Sequence, residues 1–156
     1  MTTYVDRILQ PGETVRYDGT LHWIIFLPAF VLLGFGATGL AAMALLPGTG
    51  QRGGVFFVVV ILALVFGALH LLAAWVRRQT TEIAVTERRV IYKTGLVSRR
   101  TVEMNMDKVE SVDVRQDIFG RMLDYGTVLI RGTGAGLEPL STVASPLSLR
   151  NAITAR

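Results

Sequence analysis

The sequence predicts a membrane α-helical hairpin joined to a small α+β domain, an antiparallel sheet closed by a C-terminal helix. Three observations carry this. Two uncharged apolar runs, Trp23 to Leu46 and Val55 to Val76, are separated by a Pro- and Gly-rich connection. Beyond Thr81, short segments alternate apolar and polar residues, as half-buried strands do. Near the end, Ser145-Pro146 precedes Leu149, Ala152 and Ile153, which share one helical face. The organisation expected is an N-terminal cytoplasmic or interfacial segment over 1–22, a two-helix hairpin over 23–76 with helices at 23–46 and 55–76, and a cytoplasmic domain over 77–156.

Each apolar run exceeds the ~20 residues that a helix rising ~1.5 Å per residue needs to cross ~30 Å of hydrocarbon. Soluble core helices are the competing reading, but in a chain of 156 residues too little protein would remain to cover two of them. The first run is expected to be retained rather than cleaved as a secretory signal, because a mixed-charge segment of more than twenty residues, not a short basic one, precedes Trp23. Roughly 80 residues are left for one soluble domain with a modest core. The absence of cysteine removes disulfides, thiolate metal sites and a thiol nucleophile together. Arginine greatly outnumbers lysine, and Ala, Gly, Val and Leu abound, as in proteins from GC-rich bacterial genomes.

In chain order, Tyr4 to Leu9 reads as a helical turn, Gln10-Pro11-Gly12-Glu13 breaks it, and Thr14 to Tyr17 reads as a short strand. This segment either lies on the lipid surface or packs on the domain. Trp23 and Trp75 mark the two ends of the hairpin at one membrane interface, where an indole keeps its ring in apolar surroundings and its N–H in polar ones. Orientation follows from charge. Seven basic residues face two acids from Arg77 to Arg100, whereas the hairpin connection carries only Arg52. Both termini and the domain are therefore expected at the cytoplasmic face of a bacterial inner membrane, and the connection outside.

Within the spans, Gly34, Gly36, Thr38, Gly39, Ala41 and Ala42 of the first helix are small. In the second, Ala63, Gly67, His70 and Ala74 form a stripe expected to be the packing seam. Pro28 should free a carbonyl one turn earlier. His70 is the one ionisable residue inside the runs, and two roles are open to it. It can donate to a carbonyl near Pro28, or it can serve a proton, metal or redox site, for which a second ligand at matching depth is missing. No cofactor and no metal are called for.

The soluble segment predicts strands at Thr81–Thr86, Val90–Lys93, Leu96–Val97, Val102–Met106, Val112–Arg115 and Thr127–Arg131, and one or two more between Leu137 and Val143. Val109 is one position out of phase with Val112 and Val114, which calls for a bulge near Glu110. Phe119 to Gly126 reads as a non-strand crossing whose Phe119, Met122 and Leu123 plug the core.

Several stretches together resemble the bacterial pleckstrin-homology-like (PH-like) domains of the class-2, membrane-flanked type. They are Leu9-Gln10-Pro11-Gly12-Glu13 with His22-Trp23, Ile83 to Leu96, Asp107 to Val112, and Phe119 to Val128. The resemblance covers nearly the whole chain. It implies a seven-strand, partly open barrel capped by the C-terminal helix and held at the cytoplasmic face, with no assigned chemistry.

Function is less legible than location. Arg77, Arg78, Arg88, Arg89, Lys93, Arg99 and Arg100 are the candidate contacts for lipid headgroups, each worth roughly 1 kcal/mol beside an anionic leaflet. They equally satisfy the positive-inside rule. The turn Thr86 to Arg89 is too short to surround a phosphate as the basic loop of eukaryotic inositide-binding relatives does. Gly132-Thr133-Gly134-Ala135-Gly136 lacks the lysine and helix start of a phosphate loop and reads as a hairpin loop. Asp113 with Asp117, and Glu103 with Asp107, have no nucleophile or metal partner nearby in sequence and read as solvated charges. Nucleic-acid binding is disfavoured by a basic segment that is short and poor in aromatics. The expectation is a non-enzymatic, membrane-anchored interaction or scaffold module, an accessory subunit of a membrane complex. Its partners would be membrane lipids and other membrane proteins or copies of itself, with no small-molecule substrate. An anionic-lipid sensor and a small membrane enzyme or redox subunit using His70 are the alternatives.

Overall fold

The computed structural model describes residues 4–45, 50–96, 98–133 and 139–155, apart from the side chains of Tyr4, Asp6 and residues 50–52. They divide into two compact units: Trp23–Val76, and Met1–His22 together with Arg77–Arg156.

The first unit is a pair of helices. A 3-10 turn over Trp23–Phe26 leads into α2, Leu27–Leu45 (a short α1 precedes it, below), and α3 spans Gly50–Thr80. Pro28 stands in the first turn of α2, where a missing N–H has no intrahelical partner to lose, so it initiates the helix rather than kinking it. α3 is longer than the apolar run at both ends. It takes in Gly50 to Gly54, expected to be loop, and Arg77 to Thr80. Hydropathy marks the part of a helix that avoids water; main-chain hydrogen bonding carries on past it. At 31 residues α3 is about 46 Å long, more than hydrocarbon thickness requires. The remainder of the expected connection, 46–49, lies outside the described residues.

The two helices meet glycine against branched side chain. A Cβ on Gly36 would come 2.5 Å from Leu64, one on Gly39 would come 2.5 Å from Val60, and one on Gly67 would reach 3.1 Å from the Leu33 amide nitrogen. As α2 positions rise, their α3 partners fall in step, so the helices run antiparallel. Gly36, Gly39, Val60 and Gly67 are buried, and Ala63 and Ala74 half-buried. Gly34, Thr38 and His70 are exposed and lie off this seam. Nothing stands within 4 Å of a Cβ on Gly34, and the Thr38 hydroxyl donates back to the Gly34 carbonyl at 2.9 Å. Both stripes of α2 carry small residues, and only the facing helix decides which is used.

The second unit is built from seven described strands. They are β1 (Val15–Gly19), β2 (Glu82–Thr86), β3 (Arg89–Thr94), β4 (Arg100–Asn105), β5 (Val109–Arg115), β6 (Tyr125–Gly132) and β7 (Leu140–Ala144). They form an antiparallel four-stranded sheet β1-β2-β3-β4 and an antiparallel three-stranded sheet β5-β6-β7, not the single partly open barrel that the resemblance implies. One of the seven precedes the helices, so 77–156 alone holds only six of the described strands. Chain following β1 joins the sheets: Leu21 bridges Val143, and the His22 amide donates to the Thr142 carbonyl at 2.8 Å. β5 carries the expected irregularity between Val109 and Ser111. The Leu96–Val97 strand does not form at Leu96, an exposed bend residue; Val97 lies outside the described residues.

The core lies between the sheets and under α5 (Pro146–Thr154), with Ile83, Val85 and Val90 from one sheet, Val128, Ile130 and Val143 from the other, and Leu149 and Ile153 from the helix. α1 (Tyr4–Ile8) covers the outer face of the first sheet, where Val5 packs on Ala84 and Ile91. This is why β2 is buried on both faces and loses the alternation expected of it.

α4 (Ile118–Leu123) fills the expected crossing, but its residues do not plug the core. Phe119 is 66% exposed, Met122 75% and Leu123 40%. Gly120 is the buried residue of the helix: a Cβ there would come 2.6 Å from the Tyr125 carbonyl. The helix packs by its backbone and turns its large side chains out.

Candidate functional site

The N-terminal segment ends its helical turn at Pro11-Gly12, where φ of +79° at Gly12 lets the chain reverse and bring Glu13 inward. The turn between β2 and β3 holds Thr86 and Arg89 opposite it. Glu13 has a fully buried carboxylate, which accepts from Arg89 Nε at 3.1 Å and a terminal guanidinium nitrogen at 2.8 Å, from Thr86 Oγ1 at 2.7 Å and from the Gln10 amide at 2.9 Å. Arg89 also donates to the Ile8 carbonyl at 2.8 Å and to Glu103 on β4 at 2.9 Å. Every described buried side-chain nitrogen and oxygen has a partner.

Burial by itself would raise the Glu13 pKa. The Gln10 and Thr86 hydrogen bonds and the bonds and charge of Arg89 outweigh it and bring the carboxyl to about 2. A carboxylate so tightly held is a poor proton acceptor near neutral pH. What the arrangement does is fasten α1, the Pro-Gly turn and two strands to one another. Beside it opens a polar cleft of about 380 Å³ bordered by Gln10, Glu87, Arg88, Asn105 and Asp107.

Strand direction sorts the seven basic residues singled out in the sequence. Arg88 and Arg89 lie at the start of β3. Lys93, Arg99 and Arg100 lie at or beyond its other end, about 17 Å away, where β2 begins just after α3. Arg89 is internal to the network described above, Arg88 donates to Gln10 Oε1 at 3.2 Å, and Lys93 pairs with Glu82 at 2.9 Å. Arg77 donates to Ser141 Oγ at 3.1 Å, and Arg78, Arg99 and Arg100 are exposed.

The acids considered as pairs are engaged apart from each other. Asp113 pairs with Arg131 at 3.3 Å, Asp117 caps α4 through the Gly120 amide, and Glu103 holds Arg89; Asp107 borders the cleft. Among the described residues no three His, Asp or Glu side chains gather as metal ligands. His70 is exposed on α3, and the glycine-rich 134–136 lies outside the described residues.

Sequence reasoning did not single out His22 as a packing residue. Its ring stacks on Tyr125 at 5.3 Å and bonds the Leu123 backbone, which fixes the end of the segment after β1 beside the end of α4. Burial pushes its pKa below the usual value, Asp124 and the Leu123 bond oppose this, and Arg78 adds to it.

A family model for the bacterial PH domain matches residues 24–156. The chain belongs to that family. No curated protein and no solved structure matches it. The matched residues of this PH-domain protein include both long helices, Thr86 and Arg89, while Glu13 and β1 precede them.

Proposed function

We propose that this bacterial PH-domain protein is a membrane-anchored, non-enzymatic interaction module. Its two apolar helices cross the inner membrane as a hairpin, and its sheet domain and both termini lie on the cytoplasmic side, holding membrane proteins or copies of itself. The observation that carries the reading is the point of insertion: the helices interrupt the chain between β1 and β2, hydrogen-bonded neighbours with Gly19 opposite Ile83. An excursion that leaves and rejoins one strand pair must cross a bilayer an even number of times. Trp23–Leu45 and Gly53–Thr80 are long and apolar enough to cross, and only 17% and 11% of their most apolar windows are buried, the reverse of a soluble core helix. Arg77 and Arg78 at the end of α3 favour the cytoplasmic side.

Because the chain has no cysteine, single cysteines test the topology. In intact cells an impermeant maleimide should label Gly54→Cys and should label Asn151→Cys only after lysis. Labelling of Asn151→Cys in intact cells overturns the reading. Partners should co-purify on gentle detergent extraction.

A second reading, an anionic-phospholipid sensor, is favoured by the gathering of Arg77, Arg78, Arg99 and Arg100 toward the strand ends from which the chain enters and leaves the helices. Changing Arg78, Arg99 and Arg100 to Gln separates the two. Partner recovery survives if holding proteins is the task, and selectivity for anionic lipid is lost if sensing is. Arg89 is left intact in this test because it holds the domain together.

A further inference from the structure

We propose that α4 is an interfacial foot, its Ile118, Phe119, Met122 and Leu123 side chains seated among the headgroups and upper acyl chains of the leaflet nearest the domain. This rests on the membrane-spanning reading above.

Polar side chains at both ends of α4 hold the helix, and its apolar side chains stay outside. Asp117 accepts from the Gly120 amide, and Gln116 Nε2 donates to the Gly120 and Tyr125 carbonyls at 3.1 and 3.0 Å. Asp124 ends the helix at φ 55° and accepts from Ser145 Oγ at 2.6 Å. With glycine as the inward residue, a firmly anchored helix presents four large apolar side chains to the exterior, Ile118 at 77% exposure. Exposed apolar clusters of this kind mark a surface that something covers.

Position and chemistry choose the bilayer as that cover. His22, bonded to the Leu123 backbone and stacked on Tyr125, is the residue immediately before the first apolar run. Arg78, which follows the second run, is near enough to perturb His22. The C-terminal end of α4 thus adjoins His22, the last residue of the sheet domain before the first apolar run in sequence. The chemistry of the apolar cluster is aromatic and aliphatic with one exposed cation, Arg121, whose stem can lie along lipid while its head stays at phosphate level. The two acids flanking the helix are both engaged in its caps.

The test uses the full chain in nanodiscs of phosphatidylethanolamine and phosphatidylglycerol. A bimane probe is attached at Met122→Cys, at Asn151→Cys as the aqueous reference, or at Phe66→Cys as the membrane reference. The Met122 probe should be quenched several-fold less by iodide than the Asn151 probe, and strongly by lipids brominated near the headgroup; the Phe66 probe, at mid-span, is read with lipids brominated toward the chain ends. Iodide access equal to that at Asn151 overturns the proposal. So does shielding from iodide without quenching by brominated lipid, which assigns the cover to protein, a second copy included. If the Phe66 probe also escapes brominated lipid, the spanning reading fails with it; if Phe66 is quenched and Met122 is not, the foot alone fails.

Discussion

The helix pair and the sheet domain use apolar side chains in opposite ways. In the domain, Ile83, Val90, Val128 and Ile130 are fully buried, while in α3 the comparable Val58, Leu62, Phe66 and Leu69 are about half exposed. The domain makes its own apolar interior, whereas the helices touch along a narrow glycine seam and leave the rest of their surface to the surroundings. The same residue types therefore make a buried core in one unit and an exposed apolar surface in the other.

The largest effect that distinguishes the units should come from the buried ion pair. Arg89→Met leaves the Glu13 carboxylate buried without its counter-charge and should cost about 3–5 kcal/mol. Amide exchange of β2 and β3 should accelerate while that of α2 and α3 does not; equal effects in both units would end the contrast. Next, Ile130→Ala should cost about 2–5 kcal/mol through the cavity it opens. Phe66→Ala, on a surface that makes few protein contacts, should change thermal unfolding of the helices in detergent by far less.

A third test uses acid. The folded pKa of Glu13, about 2, lies below the ordinary 4.5, so its stabilisation is complete above pH 4.5 and is lost as pH falls toward 2. Acid titration of domain stability should show that loss in this window, and Glu13→Gln should remove its share. The smallest effect is expected at α4. Phe119→Ser should alter stability by no more than about 0.5 kcal/mol, since an exposed side chain leaves no cavity behind; a cost of several kcal/mol would mean that Phe119 serves the core after all.

Much of this could be read along the chain. The apolar runs, the alternation of β4 and β6, the irregularity after Val109 and the proline opening α5 each show as a local pattern of residue types. Local reasoning failed where a distant partner decided. The alternation expected of β2 vanished because α1 covers its second face. Phe119, Met122 and Leu123 pattern as core residues, yet the buried position of α4 went to Gly120, whose lack of a side chain permits approach to the Tyr125 carbonyl. Nothing near Glu13 in sequence announces Arg89, 76 residues away.

By itself, then, the sequence determined that both apolar runs are helical and where most of the described strands lie, because main-chain hydrogen bonding and side-chain periodicity act over a turn or a strand. Tertiary structure alone decided that β1 pairs across the helical insertion with β2, that Gly36 and Gly39 rather than Gly34 and Thr38 face α3, and that Glu13 closes on Arg89. These are choices among chemically similar candidates, and only the shape and charge of the opposing surface separates them.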